Sequence, residues 1–282
     1  MSPKNQKTYR LSLLTKLAGS SVLIIAFLVT LTAWTAISIF SKTLLEQANQ
    51  ETERATAGVQ ILLEERKTST KAPVILLSKI NHLTQYVLTN DKKAMTSTMT
   101  PLWRESALDF LEVVDAKGNV LVRLQEPDKT GDSLAAQENV RGALQGTITT
   151  SFETGGDTRI SARTGVPIKD STGAVIGAIT GGVSFEKEAD RARELYGTHV
   201  TLFVRDERAI TTIVQNGQRV VGTKLDPQIA QIVLSGKNFN GKTNILGEPF
   251  ITSYHPMLGN DGKPIGIYFT GVPFNLLKET QL

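Results

Sequence analysis

The sequence predicts an α+β protein with an N-terminal transmembrane helix, a long stalk helix and two tandem antiparallel-sheet lobes. Three observations lead to this prediction. Residues 17–41 carry no charge, residues 42–66 show helical periodicity without proline, and the β-type segments that follow occur twice at a constant spacing. We therefore divide the chain into a cytoplasmic basic tail, a membrane span, a stalk and helical segment, and two lobes: 1–16, 17–41, 42–105, 106–190 and 191–282.

The uncharged segment 17–41 predicts a membrane anchor. At about 1.5 Å per residue it is long enough to cross a hydrocarbon core of about 30 Å. The alternative, a cleaved signal peptide, has an apolar core of only about 7 to 15 residues. Four cations precede the segment and one, Lys42, follows it closely, so we expect a cytoplasmic N-terminus. Residues 42–282 would then lie outside the cell membrane, in the periplasm or the extracellular space.

Composition excludes several classes of protein. The chain has no cysteine, which removes disulfides, thiolate metal sites and cysteine nucleophiles. Its net charge of +4 comes from the N-terminal end, because residues 46–282 are almost neutral, and we expect no nucleic-acid binding. No nucleotide-binding, hydrolase or metalloprotease motif occurs. The sequence therefore predicts a non-enzymatic protein without a cofactor.

The segment that follows the anchor predicts helices. Small and apolar residues in 42–66 recur at spacings of three and four, which fits either a homodimer seam or a helix packed lengthwise on its own domain. Pro73 marks the start of a second helix that ends near Asn90. A third, short helix is expected before Leu108. The membrane-embedded chain is thus predicted to form a homodimer through the stalk helix or to use this helix internally.

From Leu108 onward, the pattern changes to short β-type runs separated by Gly, Asp and Asn. Residues 110–123 predict a hairpin with a Gly-Asn turn. A helical stretch that ends at Leu144 follows, and then three strands. The last two strands are expected at 159–168 and 174–185, joined by a turn at 169–173.

This pattern occurs twice. Seven residues of the first copy, spread over 19 positions, recur in the second copy at one constant offset of 89 residues. They are Pro167, Gly173, Ile176, Gly177, Gly182, Val183 and Phe185, which match Pro256, Gly262, Ile265, Gly266, Gly271, Val272 and Phe274. We infer two copies of one five-stranded antiparallel-sheet unit. If so, the two sheets should have the same strand order.

These repeated segments resemble the double Cache family, whose tandem PAS-like domains serve as extracytoplasmic sensors in methyl-accepting chemotaxis receptors and some sensor kinases. The segments that carry the resemblance are 118–123, 131–132, 163–168 and 173–177 in the first lobe, and 222–225, 254–257 and 265–273 in the second. The resemblance implies a membrane-distal first lobe that more often holds the ligand. It also implies a second membrane helix and an output region, whereas this sequence stops at Leu282.

We therefore predict the input domain of a membrane chemoreceptor, which binds a small anionic or zwitterionic solute. The alternatives are the input domain of a sensor kinase and a membrane-anchored periplasmic interaction domain without a small-molecule ligand.

Candidate ligand-binding residues lie in both lobes. In strand 159–168, Arg159, Ser161 and Arg163 alternate with apolar residues and should share one sheet face. Two guanidinium groups about 7 Å apart could hold a carboxylate, and Arg123 on the hairpin would join them. The alternative is that these arginines are solvated or form ordinary surface salt bridges with Glu112, Glu126 or Glu153.

In the second lobe, Tyr254 and His255 are the polar candidates near a possible pocket. The alternative reading of His255, which precedes a proline, is a turn or strand-end residue. The three histidines, His82, His199 and His255, have no metal-ligand spacing, so no metal site is predicted.

Overall fold

The computed structural model of the chain describes residues 13–155 and 159–274. The chain divides into two compact units, residues 1–48 and 49–282. In the first unit, helix α1 (Leu13–Ser69) exposes its apolar side chains from Val22 to Phe40, so this segment is not a buried core helix. By length and composition the helix can cross a membrane, a test that a signal sequence would also pass.

Three shorter helices follow α1 in the second unit: α2 (Lys71–Leu77), α3 (Leu83–Thr89) and α4 (Lys92–Arg104). The prediction of one helix from Pro73 to Asn90 is wrong, because the chain turns between α2 and α3 at His82, whose φ is 66°. This turn lets both short helices bury apolar side chains. The predicted end at Asn90 and the short helix before Leu108 are confirmed.

The first lobe is a five-stranded antiparallel sheet with one helix on its face. Its strands are β1 (Phe110–Asp115), β2 (Val120–Arg123), β3 (Thr149–Thr154), β4 (Ile160–Lys169) and β5 (Val175–Ser184). Helix α5 (Glu138–Leu144) packs on β3, β4 and β5. The spatial order is β2-β1-β5-β4-β3, and the predicted hairpin at 110–123 is confirmed.

Helix α6 (Glu186–Tyr196) leads into the second lobe. The elements there are β6 (His199–Val204), β7 (Glu207–Thr211), β8 (Val214–Gln215), β9 (Gln218–Arg219), α7 (Pro227–Leu234), β10 (Phe239–Ile245), β11 (Glu248–Leu258) and β12 (Pro264–Pro273). The sheet order is β10-β11-β12-β6-β7, which is the first lobe's order traced from the opposite edge. The matching strand order confirms that one unit occurs twice.

The repeated glycines have the same structural role in each lobe. Gly173 and Gly262 adopt φ values of 88° and 76° in the turn before the last strand, where a side chain would be strained. Gly177 and Gly266 lie against the carbonyl oxygens of Val114 and Phe203 on the neighbouring strand, so a Cβ at either position would clash with the backbone.

The two lobes do not have independent cores. One apolar cluster runs through both lobes and includes Leu111 and Ile179 of the first sheet together with Leu202 and Tyr268 of the second. Each lobe also has a smaller cluster of its own. The two sheets thus contribute side chains to one apolar cluster, which explains why residues 49–282 form one compact unit.

Within this unit α1 packs along both sheets. Thr52, Ala55 and Val59, which lie in the segment 42–66 that was predicted to form either a dimer seam or an internal helix, are at most 2% exposed. Thr56 hydrogen-bonds Thr270 of β12, and Thr70, just after the helix, hydrogen-bonds Thr164 of β4. This face of the helix is therefore used internally, as the alternative prediction stated. A homodimer stays a prediction and would need another face of α1.

Candidate ligand-binding site

A cavity of about 350 Å³ lies in the first lobe, where β1, β2 and β4 meet the loop at 124–137. The lining residues used below are Phe110, Glu112, Arg123, Gln125, Asp132 and Arg163. The sheet supplies the floor of the cavity, and the loop after β2 supplies one wall. A cavity of this volume suits a small solute.

The cavity contains a buried charged cluster formed by Glu112, Arg123 and Arg163, here called the Arg–Glu cluster. Arg123 Nε donates to Glu112 Oε1 at 3.1 Å, and Arg163 Nη1 donates to Glu112 Oε2 at 2.9 Å. Gln125 Nε2 also donates to Glu112 Oε1 at 3.0 Å. Glu112 is 2% exposed and both arginines are 4% exposed. One carboxylate thus holds two guanidinium groups in fixed positions.

Arg163 reaches Glu112 because the strand between them lacks a side chain at the crossing point. Gly182 of β5 is paired with Phe110 on one side and with Arg163 on the other. A Cβ at Gly182 would come within 2.7 Å of the Phe110 ring. The open position lets the Arg163 guanidinium lie 4.1 Å from the centre of that ring, in cation–π geometry.

Asp132 extends the cluster toward solvent. Arg123 donates to both of its carboxylate oxygens, at 3.1 and 2.9 Å, and to the Lys129 carbonyl oxygen at 2.8 Å. These hydrogen bonds from Arg123 lower the pKa of Asp132. Behind the cavity, burial raises the pKa of Glu153, against hydrogen bonds from Ser151 and the Asn139 backbone. The described charges of the first lobe are therefore largely compensated before any ligand binds.

Three of the four first-lobe candidates come together. Arg123 and Arg163 line the cavity, and Ser161 accepts a hydrogen bond from Arg163 Nε at 3.0 Å, as strand alternation predicted. Arg159 lies outside the site and pairs with Glu207 of the second lobe at 3.4 Å. The predicted partner Glu112 is correct, but the resulting ion pairs are buried rather than at the surface.

The two second-lobe candidates do not form one site. Tyr254 is 1% exposed and lines a different cavity, beside α7, whereas its neighbour His255 contacts Tyr268 with a ring separation of 5.4 Å. Burial lowers the pKa of His255, and its Nε2 atom has no hydrogen-bond partner among the described residues. Adjacent residues of a strand point to opposite faces of the sheet, so Tyr254 and His255 cannot line the same cavity.

Sequence reasoning missed two residues that matter. Asp132 was noted only as part of a repeated segment, although it follows Gly131 directly before the helical stretch. Arg208 was not singled out at all, yet it is 4% exposed and lines the second-lobe cavity. No local signal marked Arg208, because a bulge at Ala209 breaks the alternation of β7: Arg208 is paired with Phe203 and Ile210 with Leu202, so the two side chains point to opposite faces.

Comparison with known proteins agrees with this architecture. Residues 186–281 match the family model described as single Cache domain 3, which covers the second lobe. A comparison with curated protein sequences gave no significant match.

Two similar solved structures cover both lobes. The sensor domain of the Vibrio cholerae histidine kinase DctB aligns with a TM-score of 0.54 at 12% identity, over 82% of this chain and 98% of that one. The ligand-binding domain of the Campylobacter jejuni chemoreceptor Tlp3, in complex with 4-methylisoleucine, aligns with a TM-score of 0.53 at 9% identity, over 86% and 95%. At these identities the likeness concerns the fold. Residues 186–281 are thus similar to a Cache domain, and the two-lobed unit has the fold of chemoreceptor and histidine kinase sensor domains, as the resemblance implied.

Proposed function

We propose that this chain is the extracytoplasmic input module of a membrane signalling protein and that its first-lobe cavity binds a small zwitterionic solute. The observation that carries the proposal is the Arg–Glu cluster at the cavity floor. The anchor at 17–41, with most of its flanking cations on the N-terminal side, supports a cytoplasmic N-terminus.

The balance of charge favours a zwitterion over a simple anion. Among the described lining residues, four carboxylates and three cations face or border the cavity: Asp109, Glu112, Glu126 and Asp132, with Arg123, Lys129 and Arg163. A dianion would add negative charge beside the buried Glu112 without a spare cation to balance it. A zwitterion can direct its carboxylate to the arginines and its ammonium group to Glu112 or Asp132.

The Tlp3 domain was solved with 4-methylisoleucine, an amino acid and therefore a zwitterion. This agrees with the proposal but does not carry it, since the two chains share 9% identity. Chemoreceptor and histidine kinase sensor domains both share the fold, so the output module is not specified by the cavity. In either setting, a ligand that prefers one of two conformers shifts their populations and so produces a signal.

The test is a thermal-shift and calorimetric screen of the full chain in detergent micelles with amino acids, monocarboxylates, dicarboxylates and amines. A ligand at one hundred times its Kd should stabilise the fold by about 2.7 kcal/mol. We expect amino acids to give the shift, Arg163→Gln to remove it, and Arg159→Gln, the control outside the cavity, to retain it. Binding by dicarboxylates alone would contradict the zwitterion, and no response to any class would favour the interaction domain without a small ligand.

A further inference from the structure

The second lobe contains a cavity of about 410 Å³ between α7, β10 and the sheet. The residues used in the argument are Arg208, Thr223, Ile229, Phe239, Thr243 and Tyr254. This cavity belongs to the other sheet and shares no lining residue with the first-lobe site.

Arg208 is a buried cation that lacks an acidic partner among the described residues. Its side chain is 4% exposed, its Nη1 atom donates to Thr223 Oγ1, and its guanidinium lies 5.2 Å from the centre of the Phe203 ring. Its Nε atom has no acceptor, and no carboxylate of the described chain lies within ion-pair distance of it. Burial lowers the pKa of Arg208, yet an arginine side chain stays protonated in proteins. A desolvated guanidinium of this kind is normally found with an anion.

Comparison with the first lobe shows how the cavity arises. Arg208 is paired with Phe203, and the equivalent strand pair in the first sheet is Val114 with Val120, so Arg208 replaces an apolar residue. Tyr254 takes the place of Gly165, at the same offset of 89 residues. Gly165 lets α5 pack directly on the first sheet. In the second lobe a tyrosine stands at that position, and the space beside α7 contains a cavity instead.

The lining of this cavity is cationic and partly apolar. Lys224 and Lys242 border it, while its one described carboxylate, Asp226, accepts hydrogen bonds from the first turn of α7. Burial raises the pKa of Tyr254 to about 12, so its hydroxyl is neutral and can donate a hydrogen bond. Phe239 and Ile229 supply apolar wall. A single desolvated guanidinium with aromatic and aliphatic walls suits a monoanion with an apolar body.

From these observations we propose that the second lobe carries a separate binding site for a small organic monocarboxylate, whose carboxylate pairs with Arg208 and whose apolar part contacts Phe239 and Ile229. The site is independent of the zwitterion proposed for the first lobe. Occupation would supply the acceptor that Arg208 Nε lacks in the described chain.

The experiment uses isothermal titration of the full chain in detergent micelles with benzoate and butyrate, and with benzamide and butyramide as neutral analogues. We expect one carboxylate per chain, and no binding of the amides. Arg208→Met should lower carboxylate affinity at least tenfold, and Ile232→Trp, which enlarges a side chain of α7 that lines the cavity and leaves the arginine in place, should do the same. Arg219→Met, which removes an exposed arginine paired with Asp190, is the matched control and should bind normally.

Two further readouts separate this site from a structural role and from the first lobe. Without ligand, Arg208→Met should melt no lower than the unmodified chain, because it removes a buried charge that has no acidic partner in the part of the chain that the structure describes. Arg163→Gln should keep carboxylate binding, and Arg208→Met should keep any amino-acid binding. Failure of either carboxylate to bind, equal binding of the amides, normal affinity in Arg208→Met, or normal affinity in Ile232→Trp would each overturn the site.

Discussion

The two lobes share a backbone frame and differ in their buried charges. Both sheets have the same strand order, and the pairing of β1 with β5 corresponds to that of β6 with β12 at an offset of 89 residues. The Arg–Glu cluster of the first sheet is replaced in the second by three threonines: Thr201, Thr211 and Thr252. Where the first lobe has an ion pair across β1 and β2, the second has a hydroxyl hydrogen bond of 2.7 Å between Thr201 and Thr211.

This difference teaches that the fold and the site chemistry depend on different residues. Turn glycines such as Gly173 and Gly262, and close-approach glycines such as Gly177 and Gly266, are kept in both copies because the backbone requires them. Side chains on the cavity face are not constrained in this way. Each copy can therefore carry its own charge pattern on one frame.

The two cavities are accordingly opposite in electrostatic character. Described carboxylates outnumber cations around the first cavity, and its buried arginines already have an acidic partner. The second cavity has three described cations to one carboxylate, and its buried arginine has no acidic partner in the described chain. A solute that suits one cavity should bind poorly in the other.

The largest expected effect comes from removing the shared carboxylate of the first lobe. Glu112→Leu leaves Arg123 and Arg163 buried without their common partner, and breaking such a pair costs about 3–5 kcal/mol of folding free energy. Chemical unfolding of the full chain in micelles measures this. Glu207→Leu, which removes the acid of the exposed pair with Arg159, should change stability by less than about 1 kcal/mol. Equal losses of unfolding free energy in Glu112→Leu and Glu207→Leu would contradict the burial of the Arg–Glu cluster.

A smaller loss of stability is expected when a side chain is added at Gly165, where α5 packs directly on the first sheet. Gly165→Ala places a Cβ against the Asn139 carbonyl oxygen of α5, so the helix or strand must shift, at a cost of about 1–3 kcal/mol. The unfolding midpoint of the full chain reports the change. In the second lobe, Gly241→Ala is the control, because its Cβ would meet only the Phe239 ring at 3.5 Å. An unchanged unfolding midpoint in Gly165→Ala would contradict this expectation. It would mean that α5 can move away from the added Cβ at little cost.

Much of the fold was predictable from local signals and from the repeat. The hairpin turn at Gly118, the turn at Gly173 and the seven identities at an offset of 89 residues together predicted two equivalent sheets. Strand alternation also put Ser161 and Arg163 on one face, where they hydrogen-bond. These features depend on a few neighbouring residues, which is why sequence alone sufficed.

The predictions that were wrong, and the contacts that were missed, depend on segments that are far apart in the sequence. Arg159 lies one residue before β4, and it turns to Glu207 across the lobes instead of following the strand. The turn at His82 divides a segment with continuous helical periodicity, and each of the two short helices buries apolar side chains of its own. The meeting of Arg163 with Glu112 required knowing that Gly182 lies between them.

The smallest expected effect is an acid sensitivity that belongs to the second lobe. Burial lowers the pKa of His199, assisted by the nearby Arg193, and burial also lowers the pKa of His255, against the attraction of Glu53. Both rings therefore take up a proton less readily in the folded chain than in the unfolded chain, and the unfolded chain binds more protons as the pH falls below 6.5. Their contribution to stability is full above that pH and is lost as the pH falls through the lowered folded pKa values.

Unfolding free energies of the full chain between pH 7.5 and 5 test this sensitivity, and we expect the two histidines to lower stability as the pH falls, against the opposite contribution of Glu153, whose pKa is raised by burial. His255→Phe keeps a ring beside Tyr268 but cannot titrate, so the decline should become shallower. His82→Asn removes an exposed histidine outside both sheets and tolerates the positive φ, and its decline should match that of the unmodified chain. An unchanged slope in His255→Phe would mean that this ring gains a proton as easily when folded as when unfolded, which its burial argues against.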